Sequence, residues 1–388
     1  MIRRKFAYAA LLAALVMPVG ASGAVAAAPQ VPDDTTVQAM LGGARELIER
    51  RTSALVEGSD AATLRAPFAP SFGRASAAVV AVEQSAAAEL TTRRDLLRQL
   101  GEAYTSSESV LTIVAVQKGG NSVVLDVEER TRLTYAKIVG DEADYTEFVT
   151  PRRFTFARDA SGWVLKSHGR SDTRGPAPMN EPTGASADAM VMAAAEFELA
   201  RAEVVKASAG DSQSTTKAVD ADAGAISAAA GYNYPAMAAY AEKYWDVYNP
   251  HYRTFNERGG DCTNFISQAM REGGWTFVNG FYRDDNYWWY QDLCCNQTWT
   301  WASVQYWYAF AALRSGRTTI LAKPEYMGLA DVLQADFTND TSKDHTMIVS
   351  YRSSTMQYLT YHTTDTYRRT LANLKLSFPS ARWIPHRT

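Results

Sequence analysis

Asp261-Cys262-Thr263-Asn264-Phe265-Ile266-Ser267-Gln268 is the stretch from which the fold is read. Gly259-Gly260 ahead of it allows a tight entry, and Asp261 is a good helix N-cap. Cys262 then falls in the first helical turn. Phe265, Ile266, Ala269 and Met270 follow on one apolar face, so the helix to about Arg271 is expected to be buried with Cys262 at its end. Unpaired N–H groups and the positive end of the helix favour a thiolate there, and a nearby imidazolium favours it more. The alternative is a small core cysteine, because free Cys is among the most buried residue types.

A thiolate needs a base beside it and a third group to hold that base. Histidine is scarce, at five in the chain, and two stand downstream on strand-like segments. His345 opens the run His345 to Tyr351, and His362 closes the run Tyr358 to His362. Neighbouring antiparallel strands would bring the two together. His362 and Asp365 have opposite parity, so a regular strand turns only one of them toward His345. His362 is preferred as the third member because it lies within the apolar run; Asp365 is the alternative.

The segment around this constellation reads as α+β. Pro235 suits a first helical turn, and Met237, Ala238, Tyr240, Ala241 and Tyr244 continue it. Trp301 to Arg314 is a further expected helix. Ala330 to Ala335 and Ser380 to Ile384 complete the strands. The aromatic stretches Tyr287 to Tyr290 and Trp299 to Trp307 could be core or groove. Val304, Trp307, Tyr308 and Ala311 have the spacing of a core-facing helix, whereas Trp288, Trp289 and Trp301 are candidates for a substrate groove.

Upstream, residues 29–169 read as one smaller α+β domain. Val37, Met40, Leu41, Ala44, Leu47 and Ile48 recur at helical spacing, and Thr91 to Ala103 gives a second helix. Val110 to Val116, Val123 to Ala136, Tyr145 to Arg158 and Trp163 to His168 then alternate as strands between turn-forming residues. That order suggests a curved sheet over a helix, as in cystatin-like or NTF2-like domains. Residues 170–231, rich in Ala, Ser and Gly, read as a linker, inside which Ala189 to Val205 could form a helix. Residues 1–28 read as a signal peptide: Arg3, Arg4 and Lys5, an apolar run from Phe6 to Val19, and Ala24-Val25-Ala26 for cleavage. A secreted, possibly wall-associated protein with no membrane span after cleavage is therefore expected.

The 388 residues carry a formal charge of −3 and no basic stripe with interleaved aromatics, which argues against nucleic acid. The three cysteines are Cys262, Cys294 and Cys295. An odd count cannot form a complete disulfide framework, and the adjacent pair is expected to be reduced and buried, since neighbouring side chains rarely meet disulfide geometry. No Cys-x-x-Cys or His-x-x-x-His pair offers a zinc site, and no cofactor is expected.

The cysteine stretch, Asp344-His345-Thr346 and His362-Thr363-Thr364-Asp365 resemble the amidase-domain family of secreted bacterial proteins, related to the NlpC/P60 and CHAP group of papain-like cell-wall hydrolases. Tyr232-Asn233-Tyr234, Trp299-Thr300-Trp301 and the turn Gly328 to Gln334 fit the same pattern, with Ala330 where a Gly precedes the Asp. The resemblance covers residues 232–388. It implies a papain-like fold, Cys262 as nucleophile, His345 as base, His362 as orienting residue, and peptide or peptidoglycan-type substrates. The Cys262 backbone N–H is then an oxyanion donor, with Asn256 or Tyr252 as side-chain candidates. Asp261 reads as a cap rather than a catalyst. Two other readings stay open: a transglutaminase-like acyltransferase, in which Asp365 contacts His345, and a non-catalytic wall-binding module on the same scaffold.

Overall fold

The computed structural model describes residues 33–138, 140, 144–210, 231–291 and 296–388. The expected signal segment and the Cys294–Cys295 pair lie outside these residues. The fold is α+β. Its N-terminal half opens with α1 (Asp34–Ser53), whose first turn is capped by Asp33, and the short α2 (Ala61–Arg65). Strand β1 (Arg74–Ala75) and α3 (Ala77–Gln99), capped by Ser76, follow. The periodicity located only the end of α3. Its earlier turns bury Val79, Glu83, Ala86 and Ala87, which are too small or too polar to stand out as an apolar stripe.

The antiparallel meander β2 (Tyr104–Gly119), β3 (Ser122–Tyr135), β4 (Tyr145–Asp159) and β5 (Gly162–Arg170) forms where alternation predicted it. Val123, Leu125, Val127, Glu129, Thr131, Leu133 and Tyr135 of β3 all point inward. The apolar members at one end pack with Met40, Leu47, Ile48, Phe154 and Phe156. Glu129 instead joins a buried ion network with Arg152, Glu181 and Asn180.

Residues 171–210 are not a free linker. Ala177 to Asn180 are buried, and α4 (Ala187–Gly210) sets Met190 and Phe197 into the same core as Leu97 and Leu374. Composition misled here because Ala and Gly pack closely where partners exist. Pro176 and Pro178 lack the N–H that a strand would use, so this segment is held through its carbonyls. Arg93, Arg170 and Arg369 supply the donors.

The C-terminal half begins with α5 (Tyr234–Tyr244), capped by Asn233, and α6 (Cys262–Glu272). A small hairpin, β6 (Tyr290–Gln291) and β7 (Asn296–Gln297), leads to α7 (Trp299–Ala302), α8 (Val304–Tyr308) and a π-helical turn, Ala309–Arg314. The single helix expected over 301–314 is broken at Ser303, whose backbone is extended. Then come β8 (Thr319–Ile320), β9 (Val332–Asp336), β10 (His345–Arg352), β11 (Gln357–Tyr361), β12 (Asp365–Thr370), α9 (Leu371–Ser377) and β13 (Arg382–Arg387). Sequence reading passed over β12 because Arg368 and Arg369 look like loop residues. Both are satisfied, Arg368 by Glu242 and Arg369 by Asn373, Ser377 and the Ala177 carbonyl. Ala330, in the turn before β9, has φ +64°, a left-handed conformation that glycine takes freely.

The two halves share one sheet, so they are not beads on a spacer. Its order is β1-β5-β4-β12-β11-β10-β9-β13-β8, with β3 and β2 continuing from the other edge of β4. One edge of β4 carries β3 along its length; the other carries β5 at Arg152–Asp159 and β12 at Glu147–Val149. Ile348 of β10 joins the core beneath α5 and α6, while Met347 and Val349 face the opposite core with α9 and α4. No helix among the described residues is long and apolar enough to cross a membrane.

Candidate functional site

Helix α6 is buried from Cys262 through Met270, so its polar residues must each find a partner. They do. Asn264 accepts from the Trp301 indole at 2.7 Å, and Ser267 donates to the Trp301 carbonyl at 2.7 Å. Gln268 accepts from the Tyr240 hydroxyl at 2.6 Å, and Thr263 lies 3.1 Å from Thr346. The cysteine stretch is polar because every one of those side chains ties the helix to a neighbouring element.

Asp261 does not cap the helix, contrary to expectation. One carboxylate oxygen accepts from Phe255 N at 2.8 Å and Asn264 Nδ2 at 2.9 Å. The other faces His362 Nδ1 at 2.8 Å. The opposite ring nitrogen, Nε2, lies 2.7 Å from the Tyr244 carbonyl. A carbonyl only accepts, so Nε2 carries a proton, and the Asp261 carboxylate beside Nδ1 favours a second one there. Burial alone would lower the His362 pKa, but Asp261 and the nearby Asp365 outweigh it and raise it. Phe265 and Tyr248 sandwich the ring, with centroids 4.0 and 4.2 Å away, as a buried cation prefers.

His345 is the opposite case. It is fully buried, and neither ring nitrogen has a hydrogen-bond partner among the described residues. Burial, with the charge of His362, pushes its pKa down to about 3, so the ring is neutral at ordinary pH. It packs edge-on to Tyr361 at 5.2 Å, on the face of β10 that holds Met347 and Val349. Cys262 lies one residue away along the strand: its sulfur receives the backbone N–H of Thr346 and sits 3.8 Å from the Thr263 hydroxyl. Burial raises the thiol pKa, and these donors only partly offset it. The helix start therefore does not make a standing thiolate in this arrangement, where Cys262 is 5% exposed.

Cys262 meets β10 at the Thr346 N–H, next to His345 in sequence, but the His345 ring lies on the opposite face of β10 from Thr346 and α6, and no hydrogen bond joins Cys262 and His345 among the described residues. The structure does not bring His362 or Asp365 onto His345: the first is committed to Asp261 and Tyr244. Asp365 accepts from the Tyr248 hydroxyl at 3.0 Å and Thr363 N at 3.1 Å, and burial raises its pKa to about 6. Tyr252 stacks on Trp301, and Asn256 faces the Tyr248 hydroxyl at 3.4 Å. Trp288 and Trp301 are fully buried core, not groove, because their indole N–H groups are held by Ser267 and Asn264 of α6. Trp289 is half-buried, donating to the Gly280 carbonyl. Sequence reasoning missed Tyr248, Thr346 and the partnership of Asp261 with His362; the density of polar residues in an apolar helix was the available signal.

With this geometry in place, the comparisons with known proteins bear on its chemistry. Residues 231–383 match a family model described as "Putative amidase domain". That match supports a hydrolase-type activity for the segment holding Cys262 and His345. A stretch of 110 residues is 33% identical to "Uncharacterized protein YhbB" of Bacillus subtilis (strain 168), covering 28% of this chain and 34% of that protein. Another of 144 residues is 30% identical to "Uncharacterized protein YjcM" of the same organism, covering 35% of this chain and 32% of that protein. The chain thus spans about a third of the length of these curated relatives. Among solved structures, the intermembrane space region of the chloroplast protein ARC6 aligns over 36% of this chain and 96% of its own, at 14% identity and a TM-score of 0.24, a likeness that carries no argument.

Proposed function

We propose that this chain is a cysteine-dependent amidase, with Cys262 as nucleophile and His345 as general base. The observation that carries this is the unpartnered His345. A buried imidazole with neither nitrogen satisfied forgoes about 1–3 kcal/mol of hydrogen-bond stabilisation, which natural proteins rarely tolerate without a role for the group. Here it stands one residue from the peptide N–H that holds the Cys262 sulfur, inside the amidase-family match. Nucleophile–base contacts are often loose before substrate binds.

The chemistry follows from those two groups. His345 takes the thiol proton, and the sulfur attacks the amide carbonyl carbon. The C–N bond breaks, the amine leaves with the proton from the His345 imidazolium, and an acyl thioester remains on Cys262. Water, deprotonated by His345, then releases the acid and restores the thiol. In this reading the Cys262 N–H at the helix start donates to the oxyanion. His362 acts by holding Asp261, and with it the start of α6, in place.

Peptide bonds of bacterial cell wall, met by a secreted enzyme, are the substrate class that the resemblance to NlpC/P60 and CHAP hydrolases supports. Digestion of purified peptidoglycan tests it. The expected result is new free amines and carboxylates with the native chain and none with Cys262→Ala. Equal release by the two would rule the proposal out.

A further inference from the structure

Cys262 and His345 are both buried in this structure, and residues 171–178 lie against the turn that backs the start of α6. Residues 171–178 cross the turn between β11 and β12. Gly175 is pressed so closely onto that turn that a Cβ there would fall 1.8 Å from the Thr363 carbonyl oxygen. Thr363 in turn accepts from Asp261 N at 2.8 Å, and a Cβ on Gly260 would lie 2.9 Å from its hydroxyl. Three layers are thus stacked: the strap, the Thr363–Thr364 turn, and the chain that enters α6 at Cys262. Both threonines have positive φ, 62° and 70°, a conformation that β-branched residues resist. The strap and Asp261 hold that turn in place.

The strap's attachment to this turn is of a removable kind. The strap's backbone reaches a strand at Ser171, whose N–H donates to the Pro151 carbonyl of β4 at 2.9 Å, ahead of the part that crosses the turn. Arg170 donates to the Gly175 and Pro176 carbonyls and faces the Thr364 hydroxyl. Beyond Ala177 the chain is anchored firmly by Arg369 and Arg93, whereas Ser171, Thr173 and Arg174 are exposed. A cleft of about 720 Å³ opens beside it, with Arg170, Gly175 and Glu181 on the strap side and Gly259, Phe337 and Asp344 on the other. Gly259 lies three residues before Cys262, and Asp344 directly precedes His345.

We propose that residues 171–178 are a latch that keeps this site at rest, and that a proteolytic cut within Ser171–Arg174 releases it. Seated, the latch fixes the strained turn against Gly260–Asp261 and leaves Cys262 covered and unpaired with His345. Released, it frees the turn, lets the start of α6 and the His345 ring approach, and opens the cleft to substrate. The proposal rests on the cysteine-amidase reading.

The experiment measures the rate of Cys262 alkylation by iodoacetamide in the full chain, mapped by mass so that Cys294 and Cys295 are distinguished. A specific protease site is inserted between Thr173 and Arg174, and the same protein is labelled intact and cut; Gly175→Ala and Arg170→Leu are labelled alongside. Cutting should raise the Cys262 rate at least tenfold with the far-ultraviolet circular dichroism unchanged, and folded variants should show the same direction. A rate within twofold of the intact protein after complete cutting would overturn the latch, whether or not either variant folds. Alkylation reads thiol access alone, so it can fail while Cys262→Ala still abolishes hydrolysis, and the reverse.

Discussion

Two histidines at the ends of neighbouring strands meet burial in opposite ways. His362, just past β11, has a carboxylate on one nitrogen, a carbonyl on the other and an aromatic ring on each face. His345, at the start of β10, has no partner for either nitrogen among the described residues. The first is favoured as a cation, and its contacts tie it to Asp261 at the entry to α6. The second is held neutral by burial, its nitrogens uncommitted among the described residues but, with a pKa of about 3, weakly basic as they stand. Among the described residues most buried polar groups around α6 are satisfied, but His345, like the Trp275 and Trp307 indoles, is not, and of these only the imidazole can take up a proton.

The contrast can be broken most forcefully in activity. Cys262→Ala and His345→Ala should each lower amide hydrolysis by about 10³-fold or more, and the double variant should be scarcely worse, because residues acting as a unit are not additive. His362 should behave differently. His362→Leu leaves Asp261 buried without its cation, and urea unfolding should show a loss of about 3–5 kcal/mol. If His345→Ala were the more destabilising and His362→Leu the more damaging to turnover per folded molecule, the two roles would be exchanged.

A pH series sharpens the same comparison. The folded pKa of His345 is lowered to about 3. Between there and the ordinary histidine value the unfolded chain binds the extra proton, so this group's contribution falls on acidification. His345→Gln lacks that penalty. Its stability relative to the native chain should improve by about 1.4 kcal/mol per pH unit below about 6.5, read from denaturant midpoints. For His362 the sign is reversed, since its pKa is raised and its stabilisation fades as pH rises through the folded value. The smallest effect is expected away from both rings. Ala330→Gly relieves a left-handed backbone and should add about 1 kcal/mol to stability without changing hydrolysis.

What the sequence made legible follows from how each element is held together. The meander from β2 to β5 was readable because long strands with one buried face must alternate. Helix α6 was readable from Phe265, Ile266, Ala269 and Met270. In the segment 171–210 a helix over Ala189 to Val205 was readable, and it forms within Ala187–Gly210, but the burial of residues 175–180 was not, because it depends on arginines contributed by α3, β5 and β12, far away in sequence. Trp288 and Trp301 looked like groove residues until Ser267 and Asn264 were seen to hold their indoles. The ordering of His345 and His362 could be read, but not their pairing. Parity decides which face a side chain takes, not which neighbour reaches it first, and Asp261 takes His362 from its sequence-distant side.

The central claim is that Cys262 carries the acyl group of an amide substrate. It is tested most directly by incubating the full chain with cell-wall stem peptides, quenching in acid during turnover and mapping the adduct by mass. The account predicts an acyl thioester on the Cys262 peptide that decays as acid product appears, with neither adduct nor amine release from Cys262→Ala. Amine release from Cys262→Ala at the native rate would contradict it.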